Sequence, residues 1–322
     1  MDNEMTSLRE FDVFTETTTR AMGKSGTIIP TKWVLKWKGA DVKARICAKG
    51  FVQHGLDPDS TYASTPALST AKVLLALAAS QHWECRLGDV STAFLHAELP
   101  EDEEIYVQPP PEYYSDPDVI WKLKKALYGL KSSPRHWQDH FAETLQRLGA
   151  TRLKSDSNVY HFRKERTTVM SYVDDLLIVG ERPDYIMTML QNEFLLKETS
   201  RLDDGQRAEF LGRTIRRDGN DYVLGCKKDY INEILETMSM QNCKGSVTPG
   251  TTALKSPGGA SLLQPEDVKH YRSVVGKLMW LIPLRPDLNF ATKELSRSVQ
   301  GPTEEDYAKM KHLLKYLVAT RN

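Results

Sequence analysis

The feature that most constrains this fold is an acidic pair, Asp174 and Asp175, between two apolar runs in the stretch TTVMSYVDDLLIVG. The runs, residues 170–173 and 176–179, are rich in β-branched, aromatic and aliphatic side chains, which favours two strands. Asp is common in tight turns, so the pattern predicts a hairpin whose two-residue connection is the acidic pair. Because apolar residues occupy successive positions, the strands should be buried on both faces, with the turn at the edge of a packed sheet.

Two adjacent carboxylates at such a turn permit two interpretations. In the first they are ordinary solvated turn residues. In the second they lie partly out of water, where each negative charge raises the pKa of the other unless a cation joins them. A divalent metal ion would remove that conflict, so the pair is also a candidate metal site.

Length and composition predict a globular protein with more than one unit. The chain has 322 residues, 40% hydrophobic and 27% charged, and its longest aliphatic run, VLLALAA, is too short to span a bilayer. The acidic, polar N-terminus does not resemble a signal peptide. The cysteines lack paired spacing, which predicts free thiols in a reducing compartment. These cysteines are Cys47, Cys85, Cys226 and Cys243.

The net charge is zero, with 43 basic and 43 acidic residues, but the charges are unevenly distributed. Residues 32–50 alternate on either side of a turn signal at 39–41, which predicts a hairpin with one apolar and one cationic face. The apolar face includes Trp33, Leu35 and Trp37, and the cationic face includes Lys43, Arg45 and Lys49. Such a cationic face is either an ordinary solvated surface or a polyphosphate site, and the lack of interleaved acids favours the second interpretation.

A helix is predicted with Ser133 as its N-cap, Pro134 at its first position and Gly149 as its stop. His136 and His140 lie four residues apart on this helix, a spacing that zinc sites use. The Glu of the H-E-x-x-H motif is absent and the sequence offers no third ligand, so we do not predict a zinc site.

Further along the chain, a third hairpin is predicted to turn at Asp218 and Gly219. A stretch rich in Gly, Pro and Ser, residues 243–267, is the best candidate for a connection between units. Three helices are predicted after it, the last capped by Thr303.

Six stretches together resemble the reverse transcriptases of copia (Pseudoviridae) LTR retrotransposons. They run in the family's order over almost the whole chain, which makes the combined signal strong although each motif alone is weak. They are KWVLKWK with VKARICAKGFVQ, DVSTAFLHAEL, ALYGLKSSPRHW, YVDDLLIVG, EFLGRTI and RPDLNFATKELSR. Departures from the family pattern occur at Ser91, at His96 and Ala97, at Ser132 and Ser133, and over residues 62–65, and none removes an expected metal ligand.

The resemblance implies an α+β fold of the right-hand polymerase type, with an antiparallel palm sheet backed by helices and a helical C-terminal segment. The expected subdomains are fingers at 1–80, with the cationic hairpin at 32–50, and again at 98–132; palm at 81–97 and 133–218; thumb and linker at 219–265; and, at 266–322, a connection-like segment before an absent ribonuclease H domain.

The resemblance also implies RNA-directed DNA polymerase activity by a two-metal mechanism. The expected ligands of two Mg²⁺ ions, with Mn²⁺ as an alternative, are Asp89, Asp174 and Asp175; hard oxygen ligands of this kind suit magnesium. The expected nucleotide-binding residues are Lys43, Arg45, Lys49, Val90, Phe94, Tyr128 and Gly129, with Phe94 as a steric gate against ribose. The expected primer grip is Phe210, Leu211 and Gly212. The choice between Lys43 and Lys49 for the triphosphate is open.

The partners implied are an RNA and DNA template-primer, dNTPs, and other parts of a Pol polyprotein such as integrase and ribonuclease H, without a membrane. The implied location is a virus-like particle in the cytoplasm with access to the nucleus. Two alternatives are a catalytically inactive nucleic-acid-binding remnant, and another palm-type phosphotransferase such as a nucleotide cyclase. The second gives no reason for the FLGRTI stretch or the downstream helices.

Overall fold

The computed structural model describes residues 1–22, 27–114, 116–251 and 261–321. The chain divides into two compact units, one of Met1–Phe210 with Arg217–Tyr222 and the other of Leu211–Arg216 with Val223–Asn322. The predicted connection at 243–267 falls in the second unit, and its residues 252–260 lie outside the described part. The predicted subdomain boundaries are finer than this division and stay predictions.

The first unit contains a five-stranded sheet built on the predicted cationic hairpin. Its strands are β1 (Phe14–Thr18), β2 (Ile28–Lys38), β3 (Asp41–Ala48), β5 (Tyr106–Gln108) and β6 (Val119–Leu123), in the order β1-β6-β5-β2-β3. Strands β2 and β3 pair antiparallel around a turn at Gly39 and Ala40, which confirms the hairpin. Strand β2 also pairs parallel with β5, but only over its first residues, Ile28 to Pro30.

The apolar face of this hairpin is buried only at its base. Ile46 is fully buried, whereas Leu35 and Trp37, closer to the turn, are 58% and 75% exposed. Their period-two pattern would suit a strand packed on a core. Strand β2, however, continues well beyond Ile28–Pro30, the residues that pair with β5. The hairpin therefore ends in a two-stranded ribbon with exposed apolar side chains.

A six-stranded sheet holds the acidic pair, and all its pairings are antiparallel, as predicted. Its strands are β4 (Glu84–Val90), β7 (Thr151–Arg152), β8 (Val159–Phe162), β9 (Thr167–Tyr172), β10 (Asp175–Gly180) and β11 (Leu196–Ser200), in the order β11-β4-β10-β9-β8-β7. The helices of this unit are α1 (Asp2–Glu10), α2 (Pro58–Thr61), α3 (Leu68–Gln81), α4 (Ser133–Arg147) and α5 (Pro183–Gln191).

Helices α4 and α5 back this sheet. Trp137, Phe141 and Leu145 of α4 share one buried cluster with apolar residues of the sheet, including Val90 and Leu176. This is the stripe expected of an amphipathic helix. The predicted N-cap is wrong by one residue, because the N-cap is Ser132 and the Ser133 hydroxyl instead donates to the Leu127 carbonyl oxygen at 2.7 Å.

The hairpin of β9 and β10 is confirmed, but its turn is not the acidic pair. Tyr172 and Asp175 are cross-strand partners, so the connecting residues are Val173 and Asp174. The apolar run before the acids thus supplies one turn residue, and the second acid belongs to a strand. This one-residue shift fixes the direction of the Asp175 side chain, since successive strand residues point to opposite faces.

The chain then forms a three-stranded sheet in the order β12-β13-β14, through which the division between the units passes. The strands are β12 (Arg207–Phe210), β13 (Arg213–Asp218) and β14 (Asp221–Gly225). The predicted turn at Asp218 and Gly219 is shifted by one residue to Gly219 and Asn220. An additional turn at Leu211 and Gly212 joins β12 to β13.

Helices dominate the second unit. They are α6 (Tyr230–Thr237), α7 (Pro265–Leu281), α8 (Asn289–Arg297) and α9 (Glu304–Ala319), which confirms the three predicted helices after the connection. Their core includes Ile234, Tyr271, Leu278 and Leu314. Across the four described ranges of the chain, no helix combines the length and the apolar character needed to cross a bilayer.

Thr303 begins α9 with a capping box, as predicted. Its hydroxyl accepts from the Asp306 amide at 3.3 Å, and its own amide donates to the Asp306 carboxylate at 3.0 Å.

We expect Thr303→Ala to lower the free energy of unfolding of the second unit by about 1 kcal/mol, because the Asp306 amide loses its hydrogen-bond partner. Urea titration followed by circular dichroism measures this change, with Thr303→Ser as the control that keeps the hydroxyl. Equal midpoints for Thr303→Ala and the unmodified protein would contradict the role of the cap.

Candidate active site

The sheet brings the predicted carboxylates together from distant parts of the chain. Strands β4 and β10 are neighbours, and Asp175 is the cross-strand partner of Asp89. Directly opposite residues in an antiparallel pair point to the same face, with Cβ atoms about 4.5 to 5.5 Å apart. Asp174 lies in the adjoining turn, and its carbonyl oxygen accepts from the Val90 amide at 2.8 Å. The carboxylates therefore occupy one end of the sheet.

The three carboxylates repel one another in a partly dry environment. Burial raises the pKa of Asp175 to about 6, with further contributions from the charges of Asp174 and Asp89. Burial also raises the pKa of Asp174, as does Asp89, while Arg45 and Lys43 oppose the shift. The site therefore favours a proton or another cation near these oxygens.

Their donor chemistry fits a hard divalent cation, because carboxylate oxygens are the ligands that magnesium prefers. The raised pKa of Asp175 supports the fit, since the same electrostatic field attracts a metal ion. Within the part of the chain that the structure describes, no group of three or more His, Cys, Asp or Glu side chains has the arrangement of a metal-binding site. The assignment of Asp89, Asp174 and Asp175 as ligands thus stays a prediction.

Three of the predicted nucleotide-binding side chains meet beside the carboxylates. The Arg45 guanidinium carbon lies 4.7 Å from the centre of the Tyr128 ring, and the Phe94 ring meets the Tyr128 ring edge-on with centroids 5.3 Å apart. Tyr128 is also within electrostatic reach of Asp174, and burial raises its pKa to about 12, so the phenol stays neutral. A cation, two aromatic rings and a carboxylate therefore share one neighbourhood.

Close contact of two backbone segments holds Arg45 and Tyr128 in register. The Ala48 amide donates to the Tyr128 carbonyl oxygen at 2.7 Å, joining the end of β3 to the loop before α4. A Cβ at Gly129 would overlap the Ala48 carbonyl oxygen, and a Cβ at Gly50 would overlap the Gly129 carbonyl oxygen. Gly129 also has φ +89°, which glycine adopts without strain. These glycines allow the two segments to approach.

The predicted nucleotide-binding residues differ in their burial and in the elements that carry them. Val90 is buried in the core behind the sheet, so its backbone rather than its side chain faces the turn. Phe94 lies in a short 3₁₀ turn, Ala93–His96, and is half-buried between two buried neighbours. Lys43 is near enough to influence the Asp174 carboxylate, whereas Lys49 follows the end of β3. The choice between the two lysines stays open.

The predicted primer grip forms a tight turn. Phe210 ends β12 and is buried, and Leu211 and Gly212 connect it to β13 with φ values of +53° and +67°. Two positive φ values in succession are typical of a type I′ hairpin turn. The division between the units falls between Phe210 and Leu211, and the role of this turn in holding a primer stays a prediction.

Sequence reasoning missed two neighbours of the carboxylates. Trp137 Nε1 donates to the Val173 carbonyl oxygen at 2.7 Å, which joins α4 to the turn that carries Asp174. Lys197 on β11 is the cross-strand partner of Asp89, on the side away from Asp175. The indole gave one usable signal, because a buried Trp usually finds an acceptor for its N–H.

The two histidines of α4 have separate environments. His136 Nε2 lies 2.7 Å from a Glu103 carboxylate oxygen, and that contact lowers the pKa of Glu103. His140 instead packs against the rings of Trp137 and Phe194. The four cysteines are free thiols, as predicted.

The raised pKa of Asp175 predicts how stability depends on pH. Between pH 4 and 6 the folded state binds more protons at this carboxyl than the unfolded state, so stability is lost as the pH rises through 6. We expect the advantage of the unmodified protein over Asp175→Asn to fall by about 1 kcal/mol between pH 4 and 7, less than the full shift because the site is open to solvent.

Denaturant titration in chelator-treated buffer at several pH values measures this difference. Asp203→Asn, at an exposed position, is the control and should parallel the unmodified protein. A difference between the unmodified protein and Asp175→Asn that stays constant with pH would show that Asp175 has an ordinary pKa.

Comparison with known proteins identifies the family. The family model described as reverse transcriptase (RNA-dependent DNA polymerase) matches residues 19–252. The retrovirus-related Pol polyprotein from transposon RE1 of Arabidopsis thaliana is 32% identical over 309 residues, covering 92% of this chain and 20% of the polyprotein. That from transposon TNT 1-94 of Nicotiana tabacum is 33% identical over 311 residues, covering 90% of this chain and 23% of the polyprotein.

A shorter relative, the putative transposon Ty5-1 protein of Saccharomyces cerevisiae, is 31% identical over 240 residues, covering 73% of this chain and 76% of that protein. The chain spans about a fifth of the length of the plant polyproteins. These relatives are of the copia type, which confirms the resemblance seen in the motifs. The chain belongs to the reverse transcriptase family.

Proposed function

We propose that this chain is the RNA-directed DNA polymerase core of a retrotransposon Pol polyprotein, and that it extends a primer with dNTPs. The observation that carries the proposal is the register of β4 and β10, which sets Asp89 opposite Asp175 beside the turn residue Asp174. Family membership supports the same activity.

The reaction requires the primer 3′-hydroxyl to attack the α-phosphate of a dNTP while pyrophosphate leaves. Two divalent ions, when bound, lower the pKa of that hydroxyl and neutralise charge on the leaving oxygens. Asp89 and Asp174 would hold both ions, with Asp175 as a supporting ligand, and Mg²⁺ would be the natural choice with Mn²⁺ as a substitute. The burial that raises the pKa of Asp175 strengthens electrostatic attraction at this position.

The cationic hairpin holds the triphosphate. Arg45 presents a planar fork of donors that suits phosphate oxygens, and the Tyr128 ring under the guanidinium restricts its orientation. Lys43 or Lys49 adds a second positive charge. Because the segments that carry Arg45 and Tyr128 are joined backbone to backbone, the phosphate-binding group keeps a constant distance from the loop at Gly129.

Phe94 selects the sugar. Its ring packs edge-on against Tyr128 and stays half-exposed, so it offers a flat surface where the 2′-position of the incoming nucleotide would lie. A ribose hydroxyl there would clash with the ring, whereas a deoxyribose would not. Phe94 packs against the edge of a buried cluster and is only partly enclosed, so one part of its ring is accessible to a nucleotide.

Larger-scale roles follow from the family. The six-stranded sheet would be the palm, the cationic hairpin part of the fingers, the turn at residues 210–212 the primer grip, and the helices α6 to α9 the thumb and connection. A template-primer of RNA and DNA, and other Pol segments such as integrase and ribonuclease H, would be the partners in a virus-like particle.

The carboxylates provide the direct test. We expect Asp89→Asn and Asp174→Asn each to reduce Mg²⁺-dependent primer extension on an RNA template on the order of a thousandfold or more, because charge neutralisation at the α-phosphate is lost. Binding of the duplex should persist, since other cationic residues contact its phosphates. Gel-based extension and fluorescence anisotropy measure the two quantities, with Asp203→Asn as the control.

Two results would contradict the proposal in different ways. Full extension by either Asn variant would remove the metal assignment. A folded, unmodified protein that binds template-primer but does not extend it with Mg²⁺ or Mn²⁺ would identify the chain as a binding remnant.

The gate assignment has its own test. We expect Phe94→Ala to raise incorporation of ribonucleotides relative to deoxynucleotides by about tenfold or more, because the side chain that would meet the 2′-hydroxyl is removed. Single-nucleotide extension with each dNTP and its matching NTP measures the ratio. Phe290→Ala, at an exposed residue of the second unit, is the control. Unchanged sugar selectivity in Phe94→Ala would refute the role.

A further inference from the structure

The turn that carries Asp174 has an unfavourable backbone. Its first residue, Val173, has φ +55°, whereas Asp174 does not have a positive φ. A positive φ at only the first central position is typical of a type II′ turn, where glycine is preferred. Val is β-branched, and a left-handed conformation is a genuine outlier for such a residue. The turn therefore needs support from its surroundings to keep this shape.

Packing of the Val173 side chain provides little of that support, since this residue is 40% exposed. Two hydrogen bonds to the backbone of the turn provide that support instead. Trp137 Nε1 donates to the Val173 carbonyl oxygen at 2.7 Å, and the Val90 amide donates to the Asp174 carbonyl oxygen at 2.8 Å. One bond comes from α4 and the other from β4, so two separate elements hold consecutive carbonyl groups.

The indole itself is held rigidly. Trp137 is buried, and its ring packs at centroid distances of 5.4 Å from Phe141 and 5.5 Å from Phe194. Its backbone lies in the first part of helix α4, three residues after Pro134. A donor with so little freedom can fix the carbonyl that it binds.

We propose that Trp137 is a positioning residue of the active site, which rests on the proposed polymerase function. Its N–H donates to the Val173 carbonyl oxygen and so stabilises the left-handed backbone of Val173. Because this backbone leads directly into Asp174 and Asp175, their carboxylates are kept directed towards Asp89. Trp137 does not touch substrate. It acts through the backbone of the turn.

Three variants test this proposal. Trp137→Phe keeps an aromatic ring and removes the donor, while Phe162→Leu, in the same buried cluster, is a matched control that loses core volume without touching the turn. Val173→Gly removes the strain, because glycine adopts a positive φ readily. The effect of Trp137→Phe is then measured both in the original chain and in the Val173→Gly background.

We expect Trp137→Phe to lower kcat of primer extension about fivefold to tenfold, the loss of one hydrogen bond, with KM for template-primer nearly unchanged. In the Val173→Gly background the same substitution should cost about twofold or less, because the turn no longer depends on the indole. Phe162→Leu should leave kcat within about twofold of the original chain at a temperature where each variant is folded.

A second measurement does not depend on catalysis. Hydrogen exchange of the Val90 amide reports whether the Asp174 carbonyl stays in place. Its exchange should be about fivefold or more faster in Trp137→Phe than in Phe162→Leu, and the difference should shrink in the Val173→Gly background. An inactive original chain would defeat the proposed function, while this exchange comparison would still decide the role of Trp137.

Either of two results would overturn the inference. One is a Trp137→Phe variant whose kcat and Val90 exchange match those of Phe162→Leu, which would reduce the indole to a core side chain. The other is an equal effect of Trp137→Phe with Val or Gly at position 173, which would show that the bond does not stabilise the strained backbone.

Discussion

The candidate active site depends on the antiparallel pairing of β4 with β10. This pairing sets Asp175 opposite Asp89, and the strands around both residues are buried on each face. Apolar burial holds the ladder together and, in doing so, brings like charges together in a partly dry place. The free energy of core packing therefore keeps the carboxylates close together despite their mutual repulsion. Because that repulsion is relieved when a cation binds, the position attracts cations.

Backbone contacts also fix the positions of the side chains on the cationic side of the site. The end of β3 and the loop at Tyr128 and Gly129 approach closely because glycine lies on both sides of the contact. Arg45 then lies over the Tyr128 ring, and Phe94 packs against the same ring. The groups proposed to bind phosphate and sugar thus pack on one aromatic side chain, so their spacing does not depend on long flexible segments.

The sequence predicted much of this arrangement because strong local patterns agree with the tertiary fold. Apolar runs and turn residues indicated both hairpins, and Pro134 and Thr303 marked helix starts that the structure has within one residue. The motifs in family order identified the residues that meet at the end of the sheet.

Three features of the structure could not be predicted from the sequence. The turn is at Val173 and Asp174 because pairing in the sheet, rather than turn propensity, sets the register. Leu35 and Trp37 are exposed because the neighbouring strand ends early, which no local pattern records. The bond from Trp137 to Val173 joins residues whose proximity only the fold determines.

The position of β4 between β10 and β11 has a consequence for how the chain is made. β4 is an interior strand, and both of its partners come from much later residues, with Leu196 pairing with Val90. Pairings at such sequence separation close large loops and form slowly. During synthesis β4 therefore leaves the ribosome long before its neighbours and must wait with both edges unpaired, which invites association with other chains. A truncated product ending before β11 would carry this open edge permanently, so premature termination yields a chain prone to aggregate rather than a smaller folded unit.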